Sequence, residues 1–207
     1  MHQWHSIVEQ YSKLELTNYT DRLPVIGGIA EHYHKCGIRA GERYLAEFWS
    51  GSLVADLLWW ANKVGRKRLG AEVAPSWSWA SVTGGVQYLQ VKSPLVEVLS
   101  VECQDADSGP FGRIGEWSLE DPHYGEFAGL ETFALDDETG SACKDGQIID
   151  AVAIAEEWDG RTMHLLLGER DRDAGKLERI GILFQVDIDD RRRDWRNNLF
   201  RESFEII

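Results

Sequence analysis

The chain has 207 residues, enough to bury most of the apolar surface of one good-sized domain or two small ones. Its formal charge of -13 lies in the second half: residues 1–100 carry ten Lys and Arg against nine Asp and Glu, residues 101–207 twelve against twenty-six. That balance argues against nucleic-acid binding, which needs basic patches to neutralise phosphates, and reads as a solvated surface.

The longest apolar run, residues 53–61, is interrupted by Asp56 and is too short for a membrane span. The N-terminus lacks the basic start and apolar stretch of a secretory signal. Cys36, Cys103 and Cys143 are odd in number and widely spaced, which fits reduced thiols and a cytoplasmic protein.

In chain order, Trp4, Ile7, Val8 and Tyr11 fall at helical spacing and predict a first helix with one apolar face. A second begins near Thr20 or Asp21, with Pro24 in its opening turn, Leu23, Ile26, Ala30 and Tyr33 along one side and Gly37 as its stop. Within it Gly27-Gly28 costs about 1 kcal/mol per glycine relative to alanine, so close packing against another backbone is expected there. A third helix is expected from Ser52, with Leu53, Leu57 and Trp60 beside Val54, Leu58 and Ala61, a face broad enough for full burial. The basic run Arg66-Lys67-Arg68 reads as a solvated loop.

The segment Ala74-Pro75-Ser76-Trp77-Ser78-Trp79-Ala80-Ser81 reads as a strand opened by Pro75, with Trp77 and Trp79 on one face and the serines on the other. The two indoles are either a core anchor or a binding surface, and their size favours the core. Further strands are predicted at 86–91, 95–103, 127–135, 148–155, 163–167, 180–186 and 204–207, joined by connections short enough for antiparallel pairing. A helix is expected near 189–200, with Arg191, Arg192 and Arg193 facing water and Trp195 and Leu199 facing inward. The expected fold is α+β, a helical region 1–74 packed on a mostly antiparallel sheet or sandwich-like region 75–207 in one unit.

Candidate chemistry is sparse. On a helix His32 and Cys36 at i, i+4 could share an ion while His34 could not, which is a thin basis for zinc. Asp105-Ala106-Asp107-Ser108-Gly109 opens like a calcium loop and Glu116 falls at its twelfth position. Pro110 stands where such a loop needs glycine, so an Asx-type turn is the expectation. Nucleophile elbows and phosphate-cradling glycine motifs do not occur, and Asp136-Asp137-Glu138, Asp187, Asp189 and Asp190 sit in polar, turn-like settings. No catalytic residue, metal ligand or cofactor is therefore assigned.

The order of several segments resembles fungal heterokaryon incompatibility (HET-domain) proteins, in the region that follows their conserved N-terminal domain. The motifs are Trp4-x-x-Ile7-Val8-x-x-Tyr11-Ser12, Leu16-Thr17, Asp21-Arg22-Leu23-Pro24 with Gly28-Ile29-Ala30, and Tyr44-Leu45-Ala46 with Trp49. Leu57-Leu58-Trp59, the 74–81 segment, Glu178-Arg179-Ile180-Gly181 and the closing Ile206-Ile207 complete them. Glu47-Phe48 departs from the pattern, since relatives often have glycine and leucine there.

The resemblance implies a role in fungal non-self recognition and cell death. It further implies that the lethal activity, NAD-directed chemistry included, belongs to the N-terminal domain, and that the chain begins at about the point where that domain ends. The expected function is thus a non-catalytic regulatory or scaffolding region. Its partner would be an upstream HET effector domain or another protein, with self-association through an apolar face at Trp4, Ile7 and Tyr11. The alternatives are an aromatic-platform module for carbohydrate or peptide built on Trp77 and Trp79, and an enzyme with an unfamiliar site.

Overall fold

A computed structural model describes residues 2–45, 47–61, 66–70, 72–103, 114–120, 132–135, 150–158, 162–171, 176–185 and 203–206. The predicted helix near 189–200, the loop at 105–109 and the carboxylates at 136–138 and 187–190 lie outside these residues, as do Cys143 and Ile207.

Two helices form where apolar spacing predicts them. Helix α1 (His2–Tyr11) buries Trp4, Val8 and Tyr11. A 3-10 turn at Tyr19–Asp21, capped by the Asn18 side chain accepting from the Thr20 N–H, leads into α2 (Arg22–Lys35). Helix α2 buries Ile26 and Ala30 and half-buries Leu23 and Tyr33, and it ends where Gly37 adopts a φ of +72°. That left-handed glycine lets the Ile38 N–H reach back to the Tyr33 carbonyl at 3.2 Å.

Strands β1 (Tyr44–Leu45) and β2 (Phe48–Trp49) then form a tight antiparallel hairpin, and α3 (Leu53–Asp56) is a single turn. The long third helix predicted from Ser52 is not present. After Leu57 and Leu58 the chain extends into β3 (Trp59–Ala61), which pairs with β4 (Val86–Tyr88). An apolar run buried on all sides carries no period that separates helix from strand.

The main sheet contains β5 (Val91–Pro94), β6 (Glu97–Cys103), β7 (Ile114–Glu120), β8 (Thr132–Leu135), β9 (Asp150–Glu157), β10 (Thr162–Asp171), β11 (Lys176–Gln185) and β12 (Ser203–Ile206). Its order is β5-β9-β10-β11-β12-β7-β6, with β8 also pairing β11. All pairings are antiparallel except β11 with β12. The architecture is mixed α+β. Strand β7 contains Glu116, so that residue sits in the ladder opposite Glu102 rather than in a calcium loop.

The Trp77–Trp79 segment is not a strand. It turns at Pro75, whose carbonyl accepts from the Ser78 N–H at 3.1 Å, and closes as a 3-10 turn over Trp79–Ser81. Its serines drive this: Ser78 Oγ caps the Ala80 N–H at 3.0 Å, and Ser81 Oγ lies 2.6 and 3.2 Å from the carbonyls of Ser78 and Ser76. Hydroxyls that bond their own backbone compete with a β-ladder. Alternation between faces is therefore lost, and Ser76, Ser78 and Ser81 are buried together with both indoles.

One core joins these pieces, running from Trp4 and Val8 through Phe48, Leu57 and Trp79 to Ile154, Met163 and Ile182 of the sheet. Trp4 and Tyr11 belong to it and Ile7 packs against it, so the face expected to be left open for self-association is covered by the chain itself. Large apolar side chains that do reach the surface include Leu14, Val25, Ile38 and, most exposed at 70 %, Trp158. No described helix is long and apolar enough to cross a membrane.

The expected close approach at Gly27-Gly28 does not occur at Gly28, where an added Cβ meets nothing within 4 Å. Gly28→Ala is expected to raise stability by roughly 0.5–1 kcal/mol, as alanine loses less backbone entropy in a helix. Gly37→Ala also finds open space but must adopt a positive φ, and is expected to lower stability by about 1 kcal/mol. Urea unfolding of the two variants checks the opposite signs.

Candidate functional site

The residues that carry the sequence motifs meet around the 74–84 loop, held by two buried arginines. Arg22, the first residue of α2, is 2 % exposed. Its Nη1 donates to the carbonyls of Ala80 and Val82 and its Nη2 to those of Ser12 and Gly84. The guanidinium lies 5.1 Å from the Trp79 ring and 5.9 Å from that of Tyr19. Desolvation makes Arg22 easier to deprotonate than a free guanidinium, against the opposing influence of Glu47, Tyr11 and Tyr19. The Tyr11 hydroxyl donates to the Arg22 carbonyl at 3.2 Å, and burial makes that phenol a weaker acid.

Arg179 reaches the same loop from β11 of the main sheet and is fully buried. Its Nη1 and Nη2 donate to the carbonyls of Leu57 and Trp59, the latter at 2.6 Å, and its charge sits 3.5 Å from the centre of the Trp59 ring. Its own N–H donates to Ser76 Oγ at 3.1 Å. Trp59 Nε1 in turn donates to the Trp77 carbonyl at 2.8 Å, and Phe48 packs on Trp77 with ring centres 5.2 Å apart.

The run 66–68 is not a solvated loop, as its sequence suggested. Arg66 is buried and donates to the Ala61 carbonyl, Arg68 donates to the carbonyls of Ser76 and Arg179 and pairs with Glu178, and only Lys67 is exposed. The need to supply donors to a buried, irregular backbone outweighs the cost of removing two charges from water.

A second polar cluster lies below α1. The buried Asp56 carboxylate accepts from the Trp49 N–H at 3.0 Å and Ser52 Oγ at 2.9 Å through Oδ2, and meets His5 Nε2 at 2.6 Å through Oδ1. Tyr88 stacks on His5 with ring centres 3.9 Å apart and planes within 7°. Burial pushes the Tyr88 hydroxyl well above the usual phenol range, and Asp56 and Glu47 add to the shift. Ser52 and His5 address opposite oxygens of one carboxylate. The serine proton is therefore directed at Asp56 and not at an imidazole base, unlike the arrangement that activates a nucleophile. Trp4 completes this side, edge-on to Trp49, Tyr44 and Tyr33. An open cleft of about 450 Å³ lies between α3 and β5, with Ser52, Leu53, Val54, Val91, Lys92 and Val96 among its walls.

Of the remaining motif residues, Trp49 is fully buried beneath the Arg39 guanidinium, and Gly181 is buried in β11 opposite Leu166. Asp21 and Pro24 are exposed, Leu23 and Pro75 half-buried, and Asp21 makes no side-chain cap to α2. Trp77 and Trp79 are wholly buried and offer no face to a ligand, which removes the platform built on them. His32 Nε2 and Cys36 Sγ do approach to 3.5 Å, but no third ligand joins them among the described residues.

Sequence reasoning gave no role to His5, Glu47 or Asp56, although it marked Glu47 as a departure from the motif and Asp56 as a break in an apolar run. Asp56 left a signal, since a lone carboxylate inside an apolar run must find partners if that run is buried. Comparison of the chain with known protein families, curated proteins and solved structures returns no match. The HET resemblance thus rests on the residues of the chain alone.

Removing Arg179 strips two buried carbonyls of their donors at roughly 1–3 kcal/mol each, so Arg179→Ala is expected to cost about 3–5 kcal/mol. Arg179→Lys is expected to recover less than half of that, because an ammonium cannot span two carbonyls and stack flat on an indole. Lys92→Ala, at an exposed site, should stay within about 0.5 kcal/mol. Chemical denaturation of the three variants gives the ranking.

Proposed function

We propose that the chain is a non-catalytic regulatory or scaffolding region of HET type. It acts in the cytoplasm of a fungal cell on a HET effector domain, carried on the same polypeptide or on another, within non-self recognition and cell death. The observation that carries this reading is the fate of the motif residues. Arg22, Trp49, Trp59, Trp77, Trp79 and Arg179 are turned inward and spent on bracing one core. Residues that carry chemistry or direct ligand contact would instead line a cavity. The Ser52–Asp56–His5 cluster supports the same reading, since its hydrogen bonds hold α1, the β2 strand and α3 together without orienting a nucleophile.

A scaffold of this kind works by presenting a rigid outer surface, and the buried arginines keep that surface fixed. The purified chain is expected to leave NAD intact and to bind an isolated HET effector domain in a saturable calorimetric titration. Consumption of NAD by this chain alone, above a heat-denatured control, overturns the proposal. So does failure of every HET effector domain tried to bind the folded chain.

A further inference from the structure

We propose that Glu47 is carried in the folded protein as a neutral carboxylic acid, and that its ionisation is a latch that loosens the β1–β2 turn from the tryptophan core. This inference is independent of the effector-domain reading. It begins with the backbone: Glu47 occupies the turn of the β1–β2 hairpin with a φ of +87°, a conformation that favours glycine and is costly for a residue with a Cβ. The side chain is then driven into the core, where Glu47 is 1 % exposed and both carboxyl oxygens lack a hydrogen bond of full geometry. A charged carboxylate left so is far more costly than a neutral acid.

The surroundings do not supply a full counter-charge. Around Glu47 stand Arg22 from α2, Tyr44 from β1, Asp56 from α3 and Tyr88 from β4, with the Ser78 hydroxyl and Trp79 N–H nearby. His5 of α1 contacts the cluster through Asp56. Arg22 sends its N–H groups to four backbone carbonyls, none of them to Glu47, and the Asp56 carboxylate adds a like charge nearby. Burial pushes the Glu47 carboxyl well above the usual carboxylate range. The Ser78 hydroxyl, Arg22 and the Trp79 N–H oppose this, and Asp56 adds to it. Trp4 Nε1 donates to the Glu47 carbonyl at 3.1 Å, so movement of this turn is transmitted to α1.

The sign follows from proton counting. Above the unfolded-state value near pH 4.3 the unfolded chain has lost this proton while the folded chain still holds it, so rising pH favours unfolding by up to about tenfold per unit from this group. Below that value the group contributes no slope. Unfolding of the full chain and its Glu47→Gln variant, followed between about pH 4 and pH 7, tests this. The ratio of their unfolding constants is expected to climb in favour of the variant as pH rises. A flat ratio, or one moving towards the wild type, overturns the proposal.

Should Glu47→Gln not fold, the wild type decides through carbon-13 labelling of its glutamates. A Glu47 carboxyl resonance, assigned through its own backbone, that remains protonated at about pH 6.5 supports a neutral acid, and one ionised by about pH 5 overturns it. Exchange of the Trp4 indole N–H reads the loosening. It is expected to accelerate with pH faster than an unhindered indole, and an unchanged protection factor overturns the latch.

Discussion

Buried backbone that is neither helix nor sheet must still have its carbonyls met, and most of the architecture around the tryptophans follows from that requirement. The segment 74–84 has little regular pairing, 57–58 has none in a sheet and β3 pairs with β4 alone, and Leu57, Trp59, Ser76, Ala80, Val82 and Gly84 all present carbonyls there. Apolar packing cannot answer them. Guanidinium groups can, because each offers five donors in a planar fork and an apolar face that lies on an indole. Arg22 and Arg179 provide this from opposite sides, one from a helix start and the other from a sheet strand.

Because the two arginines stand more than 150 residues apart in sequence, the loop between them joins the helical part to the main sheet. Arg179 makes this explicit: its N–H binds Ser76, its guanidinium binds Leu57 and Trp59, and its carbonyl accepts from Arg68. Taking such charges from water is unfavourable, and a hydrophobic core of equal volume could match their net stability. What an apolar replacement could not do is fix which carbonyl faces which strand. The arginines thus specify the placement of the loop as well as contributing to its stability.

The parts of this arrangement visible in the sequence are those with a period or a special residue. Trp4, Val8 and Tyr11 reveal α1, and Leu23, Ile26 and Ala30 with Gly37 reveal α2, because helical spacing and a left-handed stop survive any tertiary context. Trp77 and Trp79 mislead about secondary structure: their alternation mimics a strand, while the intervening serines fold the chain locally. They do not mislead about burial, because indole size decides that. Strand β7 is hidden because its neighbouring acidic cluster reads as a turn, and β3 because a fully buried run has no period. Apart from the Ser12 carbonyl, the hydrogen-bond partners of the Arg22 and Arg179 side chains lie 58 to 122 residues away, beyond the reach of any local pattern. The motif resemblance marks both positions without giving a physical reason for either.

Charge gives the last constraint. Residues 1–100 are close to neutral while residues 101–207 carry a large acidic excess, and among the described residues the buried ions other than Arg179 lie in the near-neutral half. Arg22, Arg39, Arg66, Glu47 and Asp56 are all buried there. A core can hold several charges only if they nearly cancel within a few ångströms, as the strength of the field grows when water is excluded. Arg39 meets Glu42 at 2.8 Å, and Asp56 has three donors. Glu47 has no such arrangement, and it sits on a backbone position uncomfortable for a glutamate. A site that combines a strained backbone with an unmatched acid is where a fold this heavily braced retains room to move.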